Sequence, residues 1–188
     1  MTLDALIETL PSSAKDLKLN FSSLIRNNTE LSQQQLWGTV AAVAIATRCS
    51  SLTAASLEAA GSQLSPQALE AAKTAAAIMG MNNILYRFHH LTSNPRYATM
   101  PARLRMNGIK SHSVEEVDFE LWCIAVSAIN GCGKCVDAHE KVVLEKGATE
   151  EQVMAIVRVS AVIHAVGAML DAVAAESSVK TEAEPAVA

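Results

Sequence analysis

No run of alternating β-branched residues occurs in this sequence, and glycine and proline are sparse, 8 and 5 in 188 residues. A sheet needs that alternation and the turns between its strands. Their lack, with Ala, Leu and Met dominating what remains, predicts an all-α protein. Neither sign of charge is in large excess, with charged residues at 18% and a net charge of -4. Nothing here marks a phosphate backbone or an anionic membrane as a partner, so no nucleic acid and no membrane are expected. The opening Met1-Thr2-Leu3-Asp4-Ala5-Leu6-Ile7-Glu8 carries acids where a secretory signal needs basic residues and an apolar stretch. Apolar runs such as Val40 to Ala46 and Ala75 to Met79 fall short of the roughly 20 residues that span a bilayer. A cytoplasmic location is the expectation. Four cysteines do not make a disulfide framework in a chain of this length. In a reducing compartment a close pair is more often catalytic or metal-binding, so their spacing is the clue.

Caps place the helices. Ser65-Pro66 opens one running toward Arg87, and Thr149 followed by Glu150 and Glu151 opens another running toward Ala174. Gly61 and Gly147 stand where the preceding helices stop. Helical periodicity lapses around Ser93 to Tyr97 and Gly108 to Ser113, which reads as a connecting loop. Residues 1–176 form one domain on this reading, and Ser177 to Ala188, small, charged and proline-bearing, form a disordered tail. A faint internal repeat emerges when Leu36-Trp37 is laid over Leu121-Trp122. In that register Thr47 and Ser50 stand where the second copy has Cys132 and Cys135.

The segment Asn130-Gly131-Cys132-Gly133-Lys134-Cys135-Val136-Asp137-Ala138-His139 joins a glycine turn to a helix reaching about Lys146. Cys132 lies at the helix start, where unpaired backbone N–H groups and the helix dipole favour a thiolate, the nucleophilic form of cysteine. Lys134 adds a positive charge between the two thiols. One helical turn separates Cys132 from Cys135, close enough for a disulfide, so either thiol resolves an oxidised form of the other. His139 follows on the same face, and an imidazole accepts and returns protons near neutral pH. Glu120, on the preceding helix, orients that imidazole if the two helices pack antiparallel.

Glu120, Cys132, Cys135 and His139 match the E-x11-C-x2-C-x3-H pattern of the AhpD family of alkyl hydroperoxidases, within the wider carboxymuconolactone decarboxylase-like superfamily. Asp16 to Asn20, Leu36 to Thr39, Ile78 to Asn83, Leu104 to Asn107 and Phe119 to Trp122 are also similar to segments of that family, so the resemblance covers most of residues 1–172. It implies an all-α homotrimer acting as a peroxidase with no bound cofactor. By the resemblance Cys135 is the peroxidatic cysteine, passing through a sulfenic acid. Cys132 donates a proton or resolves the sulfenate into the Cys132–Cys135 disulfide, and Glu120 and His139 relay protons. The same resemblance implies dihydrolipoamide as reductant, carried by the lipoylated acyltransferase subunit of a 2-oxo acid dehydrogenase complex, and the peroxiredoxin AhpC as partner. Some members carry histidine inside the Cys-x-x-Cys where this chain has Lys134. Lysine stabilises a thiolate but is a poor proton shuttle near neutral pH.

Blander readings stand beside this one. Cys132, Cys135 and His139 are three candidate zinc ligands, but no fourth has metal-like spacing, so no metal is expected. A thioredoxin-like domain needs a strand before its Cys-x-x-Cys. Cys49 and Cys123 read as buried inert thiols, His164 as an interior histidine, His89 and His90 as solvated helix-end residues, and Trp37 and Trp122 as core anchors. Two other functions remain open: a thiol-disulfide adaptor without significant peroxidase activity of its own, and a non-redox decarboxylase-like member of the superfamily.

Overall fold

Serine and threonine caps open three of the long helices. Ser32 caps one through a reciprocal pair, its Oγ accepting from Gln35 N–H while Gln35 Oε1 accepts from Ser32 N–H. Thr149 and Gln152 repeat the device, and Ser65 accepts from Ala68 N–H ahead of Pro66. Each cap satisfies donors that the helix itself leaves unpaired. A computed structural model describes residues 1–183. Among them the chain forms α1 (Leu3–Glu8), α2 (Lys15–Arg26), α3 (Gln33–Thr47), α4 (Ser50–Gly61), α5 (Pro66–Leu91), α6 (Glu116–Asn130), α7 (Gly133–Glu145) and α8 (Glu150–Ala183), with three short 3₁₀ turns and no strand. The all-α reading holds, and the thioredoxin-like alternative falls for want of its strand.

Helices α3 and α6 pack against one another at the centre, and each also packs on both α5 and α8. Being covered all round, they are apolar all round, unlike a surface helix with one apolar stripe. Val40 and Val43 of α3 join one core cluster with α1, α2 and α8. Ala41 and Ala42 join the other, with α5. On α5 the buried Ala68, Ala71, Ala72, Ala75, Ala76 and Met79 fall at three- and four-residue spacing, so small side chains line one stripe and let the helices approach closely.

Trp122 of α6 is fully buried, and its indole N–H donates to Gln35 O at 3.2 Å. It packs directly on Gly38 of α3. A Cβ built on Gly38 would sit 2.1 Å from two of its ring carbons. Alanine would favour the helix by about 1 kcal/mol on propensity, but here it must displace the ring, and overpacking costs roughly 1–3 kcal/mol or more. Gly38→Ala is therefore expected to lower Tm, by about 2–4 °C per kcal/mol for a chain of this size. A thermal melt with unchanged or raised Tm would show that the indole has room to move.

Two expectations change. The first concerns the tail: α8 continues through Ser177 to Ala183, where the sequence reading begins a disordered segment. Ser177 and Ser178 hydroxyls donate back to Val173 O and Ala174 O, and alanine and glutamate sustain the helix. Residues 184–188 of the expected tail lie outside those described. The same helix is long and apolar enough by composition to cross a bilayer, a run the sequence reading passed over. Half of its most apolar window is buried inside the protein, against α2, α3 and α6.

The second change is the register of the repeat. Helices α3 and α6 have 15 residues each and end on a left-handed residue, Arg48 (φ 67°) and Gly131 (φ 64°). In both copies a cysteine follows as the cap of the next helix, Cys49 before α4 and Cys132 before α7. Aligned on these caps, Cys49 stands opposite Cys132, Leu52 opposite Cys135 and Trp37 opposite Glu120. The Leu-Trp register, with Thr47 and Ser50 opposite the two thiols, is two residues out. Alanine-rich helix interiors look alike at any offset, whereas caps do not.

Candidate functional site

Gly131 sets the geometry. At φ 64° it takes the left-handed conformation in which a side chain costs roughly 1–2 kcal/mol. Its N–H donates to Ala128 O and the next N–H, of Cys132, to Ser127 O at 3.1 Å. This is the Schellman closure of α6. The chain reverses there and starts α7 with Cys132 as its cap, Cys132 O accepting from the N–H groups of Cys135 and Val136 at 3.0 Å. The two cysteines have Cα atoms 5.3 Å apart and their sulfurs are joined in a disulfide. Cys132 is completely buried, and Cys135 retains 5% of its surface, so only the second cysteine of the pair has an edge toward solvent.

The same reversal lays α7 alongside α6 and brings His139 to Glu120. His139 Nδ1 hydrogen-bonds Glu120 Oε2. Glu120 is nearly sealed, at 5% exposure; beside an ionised carboxylate, which only accepts, a neutral imidazole carries its proton on Nδ1 and leaves Nε2 free to take another. His139 follows Cys135 by one turn on one face of α7. The structure thus brings together Cys132 with Cys135 and Glu120 with His139. Chemically, a dithiol pair of this kind can store two electrons in its disulfide, and an imidazole held by a carboxylate can move a proton. Among the described residues no three His, Cys, Asp or Glu side chains gather as a metal site requires.

Sequence reasoning missed what holds the turn in place. Asn83 of α5 is fully buried; its side chain donates to Ser127 Oγ at 2.9 Å and accepts from Asn130 Nδ2 at 3.0 Å. Arg87, one turn on, donates to Asn130 O. The last turn of α6 is thereby fastened to α5 just before the cysteines. The available signal was the amide of Asn83 within the apolar run from Ala75 to Leu85 of α5, since most buried amides are met by partners. Nearer the other end of α6, Asp118 accepts from Gln34 and Gln35 of α3 at 2.7 and 2.9 Å, bracing the helix two residues before Glu120.

The remaining candidates separate cleanly. Lys134 is exposed, with its ammonium 5.2 Å from the centre of the Tyr86 ring. Cys123 is buried, and that burial, with the nearby Glu120 carboxylate, pushes its thiol well above the ordinary range; it stays protonated and unreactive. Cys49 is also buried. His164 is exposed on α8, not interior as its Ala- and Val-rich surroundings suggest, because it falls on the outer side of the helix between buried Ile163 and Val166. Trp37 is only half-buried and donates to Gln33, leaving Trp122 as the core anchor. His90 is solvated, whereas His89 is half-buried and its Nδ1 has no hydrogen-bond partner.

A model of the carboxymuconolactone decarboxylase family matches residues 95–176, which hold all four site residues. Over 172 residues, 92% of this chain and 94% of the relative, the sequence is 69% identical to the alkyl hydroperoxide reductase AhpD of Acidobacterium capsulatum. It is 56% identical over 172 residues to the protein of that name from Koribacter versatilis, covering 92% of this chain and 89% of the relative. For Gluconacetobacter diazotrophicus the identity is 59% over 175 residues, 93% of this chain and 96% of the relative.

Proposed function

We propose, from the premise that this chain belongs to the AhpD family of alkyl hydroperoxide reductases, that it is a thiol peroxidase working through Cys135. The carrying observation is the unequal burial of the joined pair: Cys135 alone keeps an exposed edge, while Cys132 lies behind it. In the reduced form Cys135 passes its thiol proton to His139, and the thiolate attacks the terminal oxygen of a hydroperoxide. An S–O bond forms, the O–O bond breaks, and the departing alkoxide takes that proton from His139, whose imidazolium Glu120 stabilises in between. Cys132 then attacks the sulfenate sulfur. The S–S bond forms, and hydroxide leaves as water with the proton from Cys132. The dithiol has lost two electrons and the peroxide has gained them.

Reopening needs an external dithiol. A dihydrolipoyl group serves, its first thiol forming a mixed disulfide with Cys135 and its second closing the lipoyl ring. In this reading the reductant arrives on the lipoylated acyltransferase subunit of a 2-oxo acid dehydrogenase complex, in the cytoplasm, and the protein passes electrons to a peroxiredoxin of the AhpC type. It works as a homotrimer. The relatives' name, alkyl hydroperoxide reductase, supports the peroxidase reading over a non-redox decarboxylase.

The test is mass spectrometry of each single-cysteine variant after one equivalent of peroxide. Cys132→Ser is expected to gain one oxygen, located on Cys135 and trapped by a sulfenate reagent. Oxygen found instead on Cys132 of the Cys135→Ser protein would reverse the roles. No oxygen on either variant would leave a disulfide-exchange protein without peroxidase chemistry.

A further inference from the structure

From Glu70 to Glu115 the chain carries no intervening Asp or Glu, yet it has Lys73, Arg87, Arg96, Arg103, Arg105 and Lys110, in a protein whose acids outnumber its Lys and Arg by 19 to 15. This acid-free stretch folds into the outer half of α5 and the loop after it, and there it forms an open cleft of about 230 Å³. Phe88 and Tyr97, edge to face with ring centres 5.2 Å apart, line it together with Leu85 and Met100. Phe88, Tyr97 and Met100 each leave more than a third of their surface in water, at 45%, 39% and 51%. Polar groups at its wall are the phenols of Tyr86 and Tyr97, the His89 ring, whose Nδ1 is sealed beneath the surface, and Lys134, which lies between the two cysteines in the chain. Lys134 rests on the Tyr86 ring and pairs with no carboxylate among the described residues, Asp137 one turn along α7 included.

An apolar trough whose lining holds no acid, and whose one ammonium pairs with no carboxylate, is complementary to a hydrocarbon carrying an anionic group. Lys134 ties the cleft to the dithiol's helix: its side chain lines the cleft, in which neither cysteine takes part, and its backbone belongs to the Cys132–Cys135 turn. We infer that this cleft binds apolar hydroperoxides that bear a carboxylate, with Lys134 selecting the charged group. The inference rests on the peroxidase reading and names the substrate class for it. The volume, below the roughly 300 Å³ of a typical drug-sized pocket, takes part of a chain and leaves the rest along the exposed apolar surface.

The experiment compares kcat/KM for linoleic acid hydroperoxide and for its methyl ester, in wild type and in Lys134→Gln. The acid is expected to be favoured, and the ratio to fall on the order of tenfold in the variant, the effect of losing one charge-assisted contact. A Lys134 that only stabilises the thiolate would slow both substrates equally and leave the ratio unchanged, which overturns the inference. Met100→Glu, an exposed site that tolerates a charge, is expected to lower the same ratio by repulsion. Octanoate, which cannot be reduced, is expected to inhibit cumene hydroperoxide turnover competitively and to bind the oxidised protein in calorimetry, with octanol far weaker. Equal binding of the alcohol, or binding to phosphatidylglycerol vesicles without binding to octanoate, would overturn the carboxylate assignment. Octanoate bound but no peroxide of any kind reduced would sink the peroxidase reading instead, while turnover of cumene hydroperoxide without acid preference sinks only the cleft.

Discussion

Cys135→Ser is expected to bring peroxide turnover to background. A serine hydroxyl does not ionise near neutral pH and holds no reversible sulfenate, so neither the attack nor the two-electron store survives. Unfolding would imitate this result, and its size is small. The disulfide closes a loop across a separation of three residues, for which chain entropy contributes about 2 kcal/mol. Against a domain of this length that is a Tm shift of only a few degrees. The assay therefore pairs steady-state turnover with a melt. Turnover above a tenth of wild type, in a folded Cys135→Ser protein, would mean that another group attacks the peroxide. Cys49 and Cys123 are poor substitutes, both being buried.

His139→Phe and Glu120→Gln are expected to slow the reaction by about 10²- to 10⁴-fold, the usual range for a lost proton-transfer group, with the sulfurs intact. The two differ in stability. Phenylalanine leaves the buried Glu120 carboxylate without its partner, a penalty of about 1–3 kcal/mol or more. Glutamine keeps a neutral side chain that still accepts from Nδ1–H, so its rate falls for want of charge on the imidazole's partner while its melt stays close to wild type. Since the carboxylate acts only through the imidazole, the double variant should lose no more rate than His139→Phe alone. Losses that multiply would show that Glu120 reaches the reaction by a separate route.

Much of this site is legible in the residues because its parts are local. Cys132, Cys135 and His139 share one helix, and helical periodicity by itself puts them on one face. The Gly131 turn is equally local, a glycine at the one position where a left-handed residue closes α6. Glu120 is the intermediate case: its distance along the chain suggests a neighbouring helix, but only antiparallel packing of α6 on α7 brings it to His139. The fastening of that turn by Asn83 and Arg87, and the acid-free cleft beside it, lie on α5, more than forty residues earlier. No periodicity links them to the cysteines.

The amino-acid order by itself determined the helices, their caps and the dithiol, since each depends on backbone donors, turn conformations and spacings that act within a few residues. Tertiary structure decided the rest: that Cys132 is sealed while Cys135 keeps an edge, that Glu120 has a partner, and that His164 faces outward. Those outcomes depend on which helix covers which face, and burial is a property of the packed whole that no single segment carries.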